Sequence, residues 1–174
     1  MREIDYGKLR FEPMAEKYLP DVLAIYNHYV ANTTVTFTIT PLTLDEMRAL
    51  VFHEDPRHKT FVLLLDDQVV GYVGLSKHHP REAYRNTADI AIYIKEDFLG
   101  ARLGEAAVRF IEEYARKQGF RALIASISGE NAASIALFRR LGFFQCAHYI
   151  KVGEKFGRLL DVVDYEKLIG EDIE

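Results

Sequence analysis

The stretch T-A-D-I-A-I-Y-I (Thr87–Ile94), followed by K-E-D-F (Lys95–Phe98) and L-G-A-R-L-G (Leu99–Gly104), decides the fold. Its first part is rich in β-branched residues and reads as a strand. From Leu103 the period changes. Leu103, Ala106, Ala107, Phe110, Ile111, Tyr114 and Ala115 recur at the spacing of one apolar helix face. Gly119 stands where the left-handed residue that closes a helix is expected. A strand that hands a glycine-bearing turn to a helix leaves backbone N–H groups unpaired at the positive end of the helix dipole. Such a turn is an anion site, most naturally for phosphate.

Upstream, Lys8–Met14 alternates and reads as a first strand, stopped near Pro13. Pro20 and Asp21 suit the first turn of a helix through Val30. Ala31–Pro41 is a Thr-rich loop, and Thr43 with Glu46 forms a capping box for a second helix through about Val51. His53–Lys59 is a further loop. Thr60–Leu65 and Val69–Ser76 are strands joined at Asp66-Asp67-Gln68, and Lys77–Asn86 is a polar connection. Downstream, Ala122–Ser128 is a strand and Asn131–Leu141 a helix closed by Gly142. Phe144–Val152 and Arg158–Glu166 form a last hairpin around Gly153–Gly157, and the acidic tail Gly170–Glu174 is expected to fray. This order is neither steady βαβ alternation nor all-β. It implies an α+β fold, a mixed sheet with helices on its faces. With no repeat or linker, a single domain over 1–174 is expected.

Composition narrows the function. Hydrophobic residues at 49% and charged residues at 28% are those of an ordinary globular protein. A net charge of −4 argues against broad nucleic-acid binding but leaves room for a local basic pocket. The one cysteine, Cys146, excludes an intramolecular disulfide framework and a multi-cysteine zinc site. Lying in a strand without a readable base, Cys146 reads as a buried apolar filler. His78-His79 lack carboxylate partners at ligand spacing, so no metal site is expected. Met1–Arg10 lacks the apolar core of a secretion signal, and no apolar run is long enough for a bilayer. A soluble cytoplasmic chain is expected. A P-loop hydrolase is disfavoured, because no Gly-Lys-Ser/Thr follows the turn.

The element order, together with I-Y-N-H-Y-V (Ile25–Val30), Thr36-Phe37, R-E-A-Y (Arg81–Tyr84), the Thr87–Ile94 strand, E-N-A-A-S (Glu130–Ser134), L-F-R-R-L-G-F (Leu137–Phe143) and K-F-G-R-L-L-D-V (Lys155–Val162), resembles the GNAT superfamily of N-acetyltransferases. Within it the chain is similar to the phosphinothricin acetyltransferase-like branch, which includes L-amino-acid N-acyltransferases. The resemblance covers roughly Leu9–Tyr165. It implies a mostly antiparallel sheet of about six to seven strands flanked by about four helices. Acetyl-CoA is the implied co-substrate, with no metal, and a small-molecule amine the acceptor. Relatives commonly form dimers, so a homodimer is expected.

Carried over residue by residue, the resemblance gives Ile92, Tyr93 and Ile94 backbone contacts to the pantetheine arm, one N–H holding the developing oxyanion. The pyrophosphate turn falls on Leu99, Gly100, Ala101, Arg102, Leu103, Gly104 and Glu105. Here Leu99 replaces a polar residue of the family pattern, and Arg102 replaces its middle glycine. Asn131 matches the pantetheine-binding asparagine, and Arg139 or Arg140 is placed to reach the nucleotide phosphates. Asp89 takes the place of the branch's glutamate as the base, alone or through water; otherwise it pairs with a nearby cation or caps a loop. Phe138 occupies the position where the superfamily often has an acidic tyrosine, which a thiol leaving group of pKa about 8.5 makes dispensable. Arg81 and Tyr84 precede the base strand, and a guanidinium suits capture of an α-carboxylate. Phe37 walls the acceptor pocket or is plain core. The implied activity is acetyl transfer to the primary amine of an amino acid or phosphinothricin-like analogue. Peptide N-terminal acetylation and a non-catalytic acetyl-CoA-binding module are the alternatives.

Overall fold

A computed structural model describes residues 4–170, so the tail expected to fray lies, beyond Gly170, outside the described residues. The elements are β1 (Leu9–Pro13), α1 (Leu19–Asn32), α2 (Leu44–Val51), β2 (Thr60–Leu65), β3 (Gln68–Lys77) and β4 (Thr87–Ile94). They continue with α3 (Leu103–Lys117), β5 (Ala122–Ser128), α4 (Ala132–Arg140), β6 (Phe144–Lys155) and β7 (Arg158–Leu168). The strands form one seven-stranded sheet in the order β1-β2-β3-β4-β5-β7-β6. Among the described residues, only β4 and β5 run parallel. The α+β expectation holds.

Local chemistry explains the boundaries. Thr43 and Glu46 close the expected capping box on α2. The β2–β3 hairpin turns at Asp66 and Asp67, both left-handed, as a twist-matched two-residue turn requires. The last hairpin is longer than expected, because its strands run on to a tight turn at Phe156-Gly157.

Strand alternation builds two cores. Ala88, Ile90 and Ile94 of β4 join α3 and α4 residues such as Leu103, Ile111 and Phe138 on one face. Tyr93 packs on the other face with Val22, Tyr26, Tyr29 and Met47 of α1 and α2. Cys146 is exposed, with Sγ 3.4 Å from the Asp164 carbonyl, which corrects the buried reading. The reason is that β6 is an edge strand, exposed over most of its length.

One feature of the sheet makes a site. β4 pairs with β3 over its whole length, Ala88↔Lys77 through Ile94↔Gly71. β5 likewise pairs with β7 from Ala122↔Leu168 to Ser128↔Val162. Between them, β4 and β5 pair only at Thr87↔Ala122, Ala88↔Leu123 and Asp89↔Ile124. Beyond Asp89 each strand follows its other neighbour, and sheet twist drives the two apart.

Candidate active site

A cleft of about 430 Å³ fills the gap between the parted strands. It lies at the carboxyl ends of the parallel pair, where open sheets with helical layers hold ligands. The N-termini of α3 and α4 both open onto it, so their unpaired N–H groups and dipoles give it anion-binding character.

The β4 wall carries Ile92, Tyr93 and Ile94. Lys95 donates its N–H to the Val70 carbonyl at 2.8 Å, across the β3 edge. Backbone groups alternate between edges along a strand. Ile92 and Ile94 therefore turn theirs into the cleft, and Tyr93 turns its own toward β3. The Ile94 carbonyl already accepts from Tyr29 Oη at 2.5 Å. That leaves the Ile92 and Ile94 N–H groups as the donors facing the cleft.

The turn supplies Leu99, Gly100, Arg102, Leu103, Gly104 and Glu105 to the wall. Ala101 is the exception. Its side chain is buried in the core and its carbonyl accepts from Tyr6 Oη at 2.5 Å. Gly100 (φ 76°) and Arg102 (φ 51°) are both left-handed, which folds the chain tightly into α3. Arg102 thus adopts the conformation that a glycine takes without strain.

On the opposite side, Asn131 caps α4, its Oδ1 accepting from the Ser134 N–H at 3.1 Å. Arg140 lines the cleft and reaches Glu105 Oε2 at 3.5 Å. Arg139 instead lies over the Tyr165 ring, 5.6 Å from its centroid, so only one of the two arginines faces the cleft. The Glu105 carboxyl is held below the usual range by Arg109, with Arg140 and Arg102 adding to the effect. Phe138 is buried at the cleft wall, edge-on to Phe143.

Asp89 is the last residue of β4 to pair with β5, at the apex of the gap. His78 Nδ1 lies 2.7 Å from its Oδ1, which gives His78 a carboxylate partner that is not at ligand spacing in the sequence. The pair was hidden because its members stand eleven residues apart and meet only through the β3–β4 register. Burial pushes the Asp89 carboxyl up, the His78 hydrogen bond pulls it down, and the Asp164 charge adds to the rise. Ser126 Oγ donates to Asp164 Oδ1 at 2.6 Å. Ser126, which lines the cleft, and Asp164, whose charge reaches Asp89, are residues that the sequence did not single out. Only the register of β5 on β7, Ser126↔Asp164, brings the two together.

The predicted acceptor residues divide. Tyr84 packs on His78 and His79, with ring centroids 5.9 and 4.7 Å away, so the Glu82–Tyr84 turn sits beside Asp89. Arg81 leads that turn, exposed, with no ion-pair partner for its guanidinium among the described residues. Phe37 stands elsewhere, its ring against Gly153 of β6. Its loop is pinned by Tyr26 Oη to Thr36 and Thr38 (3.0 and 2.6 Å) and by Lys155 Nζ to the Thr36 carbonyl (2.8 Å). Among the described residues there is no group of His, Cys, Asp and Glu placed to hold a metal ion. Nor is any helix long and apolar enough to cross a membrane.

Comparison with known proteins agrees with this geometry. Residues 22–143 match the model of the acetyltransferase (GNAT) family. The chain is 39% identical over 147 residues to an L-methionine sulfoximine/L-methionine sulfone acetyltransferase of Pseudomonas aeruginosa, covering 83% of this chain and 85% of that one. It is 33% identical to a phosphinothricin N-acetyltransferase of Alcaligenes faecalis, over 83% of this chain and 75% of the relative. The crystal structure of a GNAT superfamily phosphinothricin acetyltransferase from Sinorhizobium meliloti in complex with AcCoA superimposes with a TM-score of 0.89. That likeness covers 94% of this chain and 90% of the other, at 29% identity. The chain belongs to the acetyltransferase (GNAT) family and is an N-acetyltransferase that uses acetyl-CoA as its acetyl donor.

Proposed function

We propose that the chain acetylates the α-amine of a small amino acid whose side chain ends in an oxidised sulfur or phosphorus group, with Asp89 as the base. The observation that carries this reading is the placement of Asp89 and its His78 partner at the apex of the β4–β5 cleft, with the turn that Arg81 leads packed on His78 through Tyr84. The relatives' substrates, methionine sulfone, methionine sulfoximine and phosphinothricin, are all amino acids with a carboxylate for the Arg81 guanidinium.

The residues divide the work. Asp89 takes up the proton that the attacking amine loses, directly or through water. The cleft-facing N–H groups of Ile92 and Ile94 stabilise charge on the carbonyl oxygen under attack. The Leu99–Glu105 turn and the α3 N-terminus hold phosphate, with Arg102 and Arg140 at its rim. Asn131 and Ser134 border the pantetheine path. Tyr84 walls the acceptor side next to His78. The single domain, a cytoplasmic location and a homodimer belong to the same proposal; Ile150, Val152 and Leu159 on the exposed β6–β7 hairpin support the dimer.

Thiol release from acetyl-CoA, measured against methionine sulfone, methionine sulfoximine, phosphinothricin, unmodified amino acids, polyamines and short peptides, tests the reading. Turnover of the carboxylate-bearing amines, with Arg81→Ala acting mainly on KM, supports it. Turnover of peptides alone moves the function to protein acetylation. Light scattering of the purified chain decides the dimer.

A further inference from the structure

Four tyrosines, Tyr26, Tyr29, Tyr72 and Tyr93, cluster behind the cleft on the α1–α2 side of the sheet, with Tyr93 in ring contact with the other three. Three of the hydroxyls are used. Tyr26 Oη meets Thr36 and Thr38, Tyr29 Oη donates to the Ile94 carbonyl, and Tyr93 hydrogen-bonds Thr36. Tyr72 is 3% exposed, and its Oη has no hydrogen-bond partner among the described residues. A phenol hydroxyl buried without a partner loses its hydrogen bonds to water and gains none in return, so its retention asks for a reason.

Tyr72 lines a separate cavity of about 130 Å³. At ~30 Å³ per water, that is the space of about four waters, or of one methylsulfonyl-sized group. Its floor is Gly74 and Ala91, which face each other across β3 and β4, and Leu50 and Val51 of α2 give it apolar walls. Along this face of the sheet the cross-strand pairs are Tyr72↔Tyr93, Gly74↔Ala91 and Ser76↔Asp89. The cavity therefore lies between the Asp89 and Tyr72 rows, and exposed Ala91 is the lining residue next to Asp89 on β4. Each pair is two residues, about 6.7 Å, from the next, so the Asp89 and Tyr72 rows stand roughly 13 Å apart. An amino acid whose amine reaches Asp89 and whose extended side chain ends in an oxygen spans that interval.

We propose that this cavity is the subsite for the acceptor's side chain, and that Tyr72 Oη donates its hydrogen bond to a sulfonyl, sulfoximine or phosphinyl oxygen. The inference rests on the amino-acid reading above and deepens it by naming the residue that reads the distal group. Burial, then the neighbouring Tyr93, Tyr26 and Tyr29, push the Tyr72 pKa far up. The hydroxyl accordingly stays a neutral donor at any working pH. Leu50 and Val51 take the methyl group and Tyr72 Oη takes one oxygen, while the polar side chains His53, Thr60 and Ser76 complete the lining.

The test compares L-methionine sulfone with L-methionine, which lacks the oxygens, in the wild type and Tyr72→Phe. The ratio of their kcat/KM values is expected to fall about 3- to 10-fold in the variant, the worth of one hydrogen bond, through KM for the sulfone. Ligand-free Tyr72→Phe is expected to melt roughly 2–4 °C above the wild type, because an unpartnered buried group is gone. Ala91→Leu, which fills the cavity from its exposed floor residue, is expected to reduce sulfone turnover more than that of L-alanine. An unchanged ratio, or a variant that melts lower and loses both acceptors equally, overturns the subsite. If the wild type turns over neither acceptor but does acetylate peptides, the amino-acid reading itself has failed. Sulfone turnover indifferent to Tyr72 removes this inference alone.

Discussion

His78 Nδ1 and Asp89 Oδ1 are joined by a 2.7 Å hydrogen bond at the point where the sheet opens. The bond opposes the effect of burial on the carboxyl. The two act in opposite directions on the pH at which Asp89 becomes a base. In the wild type, burial dominates, and the acid limb of kcat/KM is expected above the ordinary carboxylate range. His78→Phe deletes the lowering contribution, so the limb should move to higher pH still. A pH–rate profile decides it: a limb that stays put or moves down removes Asp89 as the titrating base.

Asp89→Asn separates catalysis from stability. A raised pKa means that the folded chain binds this proton more tightly than the unfolded chain does. Stability then falls as pH rises from the usual value of 3.8 through the raised one. Above that interval, the ionised carboxyl weighs against folding. At pH 7 the variant should therefore resist urea at least as well as the wild type, while thiol release drops about 10²- to 10⁴-fold. At pH 4 the stability comparison should shift in favour of the wild type. Urea melts at both pH values check this; a variant less stable at pH 7 would mean that the carboxylate holds the fold.

Arg102 is a left-handed residue at the entry to α3. That conformation costs a side-chain-bearing residue roughly 1–2 kcal/mol, and β-branching makes it worse. Arg102→Gly should keep or slightly raise the melting temperature, and Arg102→Val should lower it. Both should raise KM for acetyl-CoA through loss of the guanidinium, Val more, because only Gly preserves the turn. If Arg102→Gly leaves that KM untouched, the guanidinium serves solvent and not phosphate.

The contrast between Arg102 and His78 shows what the chain discloses on reading. The turn from β4 into α3 is legible because its signals are local: a strand, two glycines and an amphipathic helix in sequence. Its departures were also visible, but that Arg102 adopts glycine's conformation emerges only from backbone angles. The His78–Asp89 and Ser126–Asp164 contacts depend on which residues face each other across strands. A one-residue slip of register would send every side chain to the opposite face. The exposure of Cys146 is hidden from the sequence for a related reason. Alternation marks a strand but does not say that the strand is an edge without a helix over it. Tyr72 carries no signal of its own, since an unpartnered hydroxyl has no sequence signature.

Phe37 gives the last expectation. Gly153 leaves the space that the Phe37 ring occupies: a Cβ there would stand 2.2 Å from Cε2 and 2.5 Å from Cδ2. The ring cannot retreat with its loop, because Tyr26 holds Thr36 and Thr38 and Lys155 holds the Thr36 carbonyl. Gly153→Ala must therefore rotate the ring itself, an overpacking that costs about 1–3 kcal/mol. If Phe37 walls the acceptor pocket, KM for the amine should rise while KM for acetyl-CoA stays level, because the cofactor cleft lies on β4, α3 and α4. The double variant Gly153→Ala/Phe37→Leu should recover stability, since the smaller side chain relieves the clash, but not the acceptor KM. Melting curves and a two-substrate kinetic matrix on the three variants distinguish the cases. A stability loss with both KM values unchanged would make Phe37 a packing residue and nothing more.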